Sequence, residues 1–229
     1  MRPTAMACAA TFVASLAVPA AARAQSISSP FRFVDERHAA QAFYGYAQAD
    51  RGTAGLASEA GTLYGGRYTF RVAGPLNLVG EAAHFPSTRT VLSLTEDDEP
   101  VREEVGEGEF DLLLMNVGLR FDFTGPRTYH RLMPYLLVVG GGALELSDAP
   151  AVEADIPAEH RLDFGTSFAG AFALGADLFL GSRFSFGVEA RQAFWKVETP
   201  EPFILADTDL PQDEWVGNPT VLVGASLRF

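Results

Sequence analysis

Cysteine is all but missing. Cys8 is the only one among 229 residues, and it lies in an alanine-rich opening stretch that reads as a cleavable leader. Without it there is no disulfide, no cysteine-held metal and no cysteine nucleophile. Long hydrophobic runs are missing too. Beyond the leader, no segment supplies the roughly 20 consecutive apolar residues that a membrane helix requires. Gly140-Gly141-Gly142 is not followed by the helix start, lysine or serine of a phosphate loop, which excludes that mode of nucleotide binding. Asp207 and Asp209 lack the EF-hand spacing for calcium. Positive charge is scarce, with 17 Lys and Arg against 29 Asp and Glu and a net charge of −12. That balance argues against nucleic acid as a partner.

What is present is a large apolar content without helices to carry it. Hydrophobic residues make up 48% of the chain, with 18 Phe and 22 Gly. Lipid admits helices and closed barrels only, because every backbone polar group must be satisfied internally. Composition alone also fits a soluble all-β protein, so alternation and charge placement must decide.

The alternation is clearest from Pro219 to Phe229. Val221, Val223, Ala225, Leu227 and Phe229 fall on one face of a strand, and Thr220, Leu222, Gly224, Ser226 and Arg228 on the other. The same reading gives earlier strands over 42–49, 62–72, 76–85, 110–123, 132–146, 162–179 and 184–197. Gly74, Gly125 and Gly181 mark short turns at one end. Long loops over 50–61, 86–109, 147–161 and 198–217 fall at the other. The predicted fold is all-β, an antiparallel up-and-down transmembrane barrel of about eight strands.

The start of the chain agrees. Arg2, the apolar run Ala5 to Ala22 and the small-x-small site Ala22-Arg23-Ala24 predict a signal peptide over 1–24. No lipobox precedes Cys8. Residues 25–41 read as a periplasmic lead, with Phe31 to Gln41 short helical or irregular, and 42–229 as the barrel, a single domain.

The two faces of these strands need two environments. The Phe-, Leu- and Val-rich faces suit lipid. The other faces carry Arg67, Arg71, Arg120, Arg191 and Arg228 together with Glu81, Asp122, Glu145, Asp177 and Glu189. Buried charge is tolerable only when paired, so these ten residues are expected to form an ion-pair network filling a narrow lumen. In a soluble barrel with the Phe faces inward, residues 162–179 would show water a face of Gly, Ala and Ser, a poor solvated surface. The four long loops hold 20 acids and four arginines, Arg51, Arg89, Arg102 and Arg161, so negative charge is concentrated on them.

With the leader, the alternating strands, the turn-and-loop parity and the ending Leu227-Arg228-Phe229 in view, the chain resembles the small outer-membrane barrels of the OmpA transmembrane-domain and OmpX type. The resemblance covers Ala42 to Phe229. It implies the cell outer membrane, contact with outer-membrane lipid and lipopolysaccharide, and recognition by the barrel-assembly machinery through Val221, Val223, Ala225, Leu227 and Phe229. Members of the class serve as structural, adhesive or defensive surface proteins, so the expected role is structural or surface-interacting, without enzymatic activity or cofactor, and with an unknown extracellular partner. Two alternatives stand beside it. One is a small-molecule channel resembling OmpW, against which the inward charges count. The other is a lipid-A-modifying enzyme, for which His84 with Ser87 and His160 with Glu159 are the outward candidates. The acidic loops could meet divalent cations that bridge lipopolysaccharide, or could simply be solvated.

Overall fold

The computed structural model describes residues 29–48, 50–95 and 101–229. The expected signal peptide, 1–24, and the start of the lead lie outside the described residues. In chain order the elements are β1 (Phe31–Phe33), β2 (His38–Ala47), β3 (Gly61–Ala73), β4 (Leu76–Phe85), β5 (Thr88–Leu94), β6 (Arg102–Glu109), β7 (Leu112–Asp122), β8 (Arg127–Tyr129), β9 (Leu132–Glu145), β10 (Thr166–Phe179), β11 (Phe184–Glu198), α1 (Glu201–Ala206) and β12 (Asp213–Arg228).

Eight of these strands, β2, β3, β4, β7, β9, β10, β11 and β12, form the barrel, each antiparallel to its neighbours. Closure comes from β12 pairing back onto β2, from Thr220 opposite Ala47 to Arg228 opposite Ala39. Closure leaves no unpaired edge across the spanning region, as lipid demands.

Several boundaries differ from the sequence reading. The barrel begins at His38, not Ala42, because Ala39 and Ala40 pair with Arg228 and Leu227. Phe31–Phe33 is neither helical nor irregular. It forms a small ribbon with β8, Phe31 opposite Tyr129, and only a distant partner makes that strand possible. β12 starts at Asp213, six residues before Pro219. Proline inside a strand is tolerated where the ladder stops. Here Pro219 lies opposite Gln48, one residue past the end of β2, and its carbonyl still accepts from Gln48 N–H at 2.8 Å, so only the return bond of that last rung is lost.

The outer wall is apolar all round. Val117, Phe172, Phe186, Val188 and Val223 point away from the barrel and are more than half exposed. Soluble proteins rarely show water a continuous apolar surface beyond a few hundred Å², so this belt is a bilayer surface. Aromatic residues frame it at both ends: Tyr46, Tyr64, Phe168 and Trp215 towards the long loops, and Phe121, Phe123, Phe184 and Phe229 towards the short turns.

Glycine lets the narrow barrel close-pack. A Cβ at Gly175 would run into the Tyr135 ring, and one at Gly141 into the Met115 carbonyl. The first glycine makes room for a lumen side chain. The second lets two wall strands approach.

Candidate functional site

The interior is layered. Midway along the barrel, Arg67 and Arg191 face Glu81 and Glu189 in a closed ring. Arg67 donates from Nε to Glu81 at 3.0 Å and bidentately to Glu189 at 2.7 and 3.0 Å. Arg191 donates to Glu81 at 2.8 and 3.1 Å and to Glu189 at 2.7 Å. The Tyr135 hydroxyl adds a 2.8 Å bond to Glu189, and the Gln41 side-chain carbonyl accepts from Arg67 at 3.2 Å. All four charged side chains are at most 3% exposed. Two cations meet two anions with fork-shaped donors, the geometry in which buried charge is tolerated.

One layer nearer the short turns, Arg120 bridges Asp122 and Asp177, each at 2.7 Å. Arg228 reaches Asp177 at 3.1 Å, and Asn77 reaches Asp122 at 3.0 Å. Arg120 also lies over the Tyr135 ring at 3.7 Å, so Tyr135 joins the two layers.

Eight of the ten charged residues singled out in the sequence therefore meet in two clusters. Arg71 sits close by but donates to the Val34 carbonyl rather than to a carboxylate. Glu145 is a correction. Its alternation points inward, but it lies at the outer end of β9, opposite Leu112, too far along the strand to reach the arginines. It accepts from Ser147 at 3.0 Å instead. Tyr135 and Gln41 were missed, although both occupy inward positions of the same alternation.

Beyond the ionic layers, towards the long loops, the lumen turns apolar. Leu63, Phe85, Leu112, Leu137 and Trp195 fill it, and Leu56, Phe110, Phe164, Phe203 and Leu210 continue the same core into the loops. Phe85 lies 5.6 Å from Trp195, and Phe110 meets Phe164 edge-on at 5.3 Å. The long loops are folded onto one another. The β5–β6 hairpin, Thr88 opposite Glu109, rises beyond the wall. Arg89 on it forms a buried ion pair with Glu153 of the third loop. Arg102 pairs with Asp207 of the fourth at 2.9 Å. The first loop joins through Thr53, whose N–H and hydroxyl both reach Glu214 at 2.7 Å. A void beside Gln41, Arg67 and Glu189 measures about 10 Å³, room for one water at most.

The residues considered for catalysis have other partners. His84 bonds the Tyr64 hydroxyl at 2.8 Å, while Ser87 donates to the Glu59 carbonyl at 2.6 Å. His160 meets Ser93 at 3.2 Å rather than Glu159. Asp207 is engaged by Arg102. Among the described residues, no three His, Cys, Asp or Glu converge as a metal site would require. The strand Val221, Val223, Ala225, Leu227 and Phe229 faces outward along β12.

A closed eight-strand wall, apolar outside and charged or tightly packed inside, defines a transmembrane β-barrel of the bacterial outer-membrane type. Among solved structures the chain is similar to Neisserial surface protein A, at 14% identity and a TM-score of 0.52, covering 84% of this chain and 97% of that one. It is also similar to the outer-membrane protein OprG of Pseudomonas aeruginosa, at 14% identity and a TM-score of 0.55, covering 88% and 99%. At such identity the likeness is one of fold. No protein-family model matches the chain, and no curated protein matches it.

Proposed function

We propose that this protein is a solute-tight outer-membrane barrel with a structural or surface-interaction role, presenting a packed acidic cap to the exterior. The observation that carries this reading is the filled lumen: two ion-paired layers, an apolar layer above them, and a void of about 10 Å³ between their side chains. Its working surfaces are then outside the lumen. The wall takes outer-membrane lipid and lipopolysaccharide. The outward face of β12, ending at Phe229, is what the assembly machinery reads. The cap carries the concentrated negative charge, which repels polyanions and can meet lipopolysaccharide through divalent cations. No catalytic step is assigned, and no cofactor.

Planar-bilayer recording of the purified protein tests the reading. A silent membrane is expected, and stepwise unitary conductance would overturn it. An OmpW-like small-molecule channel is the alternative to this reading. That alternative requires Trp195 and Phe85 to leave the axis, and the same recording detects it. A lipid-A-modifying activity would instead alter lipid A profiles on expression, and unchanged profiles are expected.

A further inference from the structure

The short-turn end carries a cavity that closing the barrel does not require. The β1–β8 ribbon folds across this mouth, and Val34 packs there against Met133 and Phe179. Between the ribbon and the turn after β10 lies a cavity of about 170 Å³, lined by Arg32, Val34, Thr128, Arg131, Phe179 and Ser182.

Three independent features mark it. First, neither Arg32 nor Arg131 forms an ion pair among the described residues. Second, Thr128 is 2% exposed, yet its hydroxyl has no hydrogen-bond partner among the described residues. An unmet buried hydroxyl is destabilising, because it gives up its hydrogen bonds to water without a replacement. Third, His130 and Arg131 hold φ of 48° and 71°. Non-glycine residues are strained in that region, and glycine would make the same turn without that strain. Arg131, one of these two, lines the cavity. The charge of this face is also opposite to that of the cap. Arg32, Arg37, Arg127, Arg131 and Arg183 outnumber Asp35 and Glu36.

We propose that this cavity binds a phosphate group, carried by the headgroup of an anionic phospholipid in the periplasmic leaflet. Two guanidinium forks and the hydroxyls of Thr128 and Ser182 offer more donors than the two oxygens of a carboxylate accept. They suit the oxygen-rich phosphate. Phe33 and Leu180, 70% and 59% exposed beside the opening, supply apolar ground for the glycerol and acyl portion. Free phosphate shares the headgroup chemistry but not this apolar part.

The test uses the protein in a phosphate-free maltoside detergent, titrated with phosphatidylglycerol and read by native mass spectrometry. One lipid is expected to remain bound. Arg131→Gly, which removes the guanidinium and relieves the backbone, should lower retention at least about tenfold, the scale of one lost charge-assisted bond. Its thermal stability should be equal or higher. Arg32→Ala should lose retention as well and serves if Arg131→Gly fails to fold, while Arg161→Ala on the cap should retain the lipid. Competition by inorganic phosphate distinguishes the sources. Displacement at equal concentration would show that the phosphate alone is held and would remove the lipid from the proposal. Retention supports the phospholipid. Equal lipid retention by the unaltered protein, Arg131→Gly and Arg32→Ala would overturn the site.

Discussion

The two halves of the lumen are enclosed by the same eight strands and filled in different ways. Towards the short turns the filling is ionic, Arg67, Glu81, Glu189 and Arg191 above Arg120, Asp122, Asp177 and Arg228. Towards the long loops it is apolar and merges with the core of the cap. The difference follows from what can cover each half. The outer half is roofed by loops long enough to bury Phe110, Phe164 and Phe203, so hydrophobic packing completes it. The inner half ends in short turns and one small ribbon. Paired charges and hydrogen bonds fill it, and they fix a single arrangement of side chains because each bidentate bond has one geometry.

The comparison predicts unequal responses to truncation. Glu189→Ala strands Arg67 and Arg191 without half of their partners and should cost about 3–5 kcal/mol, read as a lower urea midpoint for unfolding from bilayers. Replacing all four members of that ring by Leu or Met should recover most of the loss, because a buried ionic cluster is close to break-even with well-packed apolar side chains. A combined variant as unstable as Glu189→Ala would remove the distinction between the halves. In the outer half, Leu137→Ala should cost about 2–5 kcal/mol through its cavity, with no orphaned charge. The wall provides the third comparison. Val188→Arg, near the middle of the lipid belt, should cost about 2–4 kcal/mol in bilayers. The smallest effect should come from the cap surface. Arg102→Ala removes a partly exposed ion pair with Asp207 and should cost at most about 1 kcal/mol, an effect that shrinks further in 1 M salt.

The barrel itself was legible because its signal is local. Each spanning strand alternates side chains with period two, and the glycine-marked turns alternate with long loops, so strand count and parity followed. The inward charges were legible by the same alternation, which brought Arg120 and Asp122 onto one face with Arg67 and Glu81. Height along the strand was not. Glu145 shares the parity of Tyr135 and yet sits at the opposite end of β9. Continuing the inward series Glu189, Arg191, Ala193 to Trp195 and Val197 would have shown the change from charge to apolar filling. The cap was illegible for a different reason. Contacts such as Arg89 with Glu153 and Ser93 with His160 join loops more than sixty residues apart and leave no periodicity. The same holds for β1, a strand of three residues that exists only because β8 lies beside it.

In this barrel the apolar faces meet hydrocarbon while the charges meet on the axis. Since Cys8 is the only cysteine, its replacement permits single nitroxide labels at Val117, Val188 and Val221 on the wall and at Glu104 on the cap, read in bilayers by power-saturation electron paramagnetic resonance. The three wall labels should collide freely with dissolved oxygen and be shielded from a water-soluble nickel chelate, with Glu104 showing the reverse. Nickel access at Val117 and Val188 equal to that at Glu104 would contradict the account.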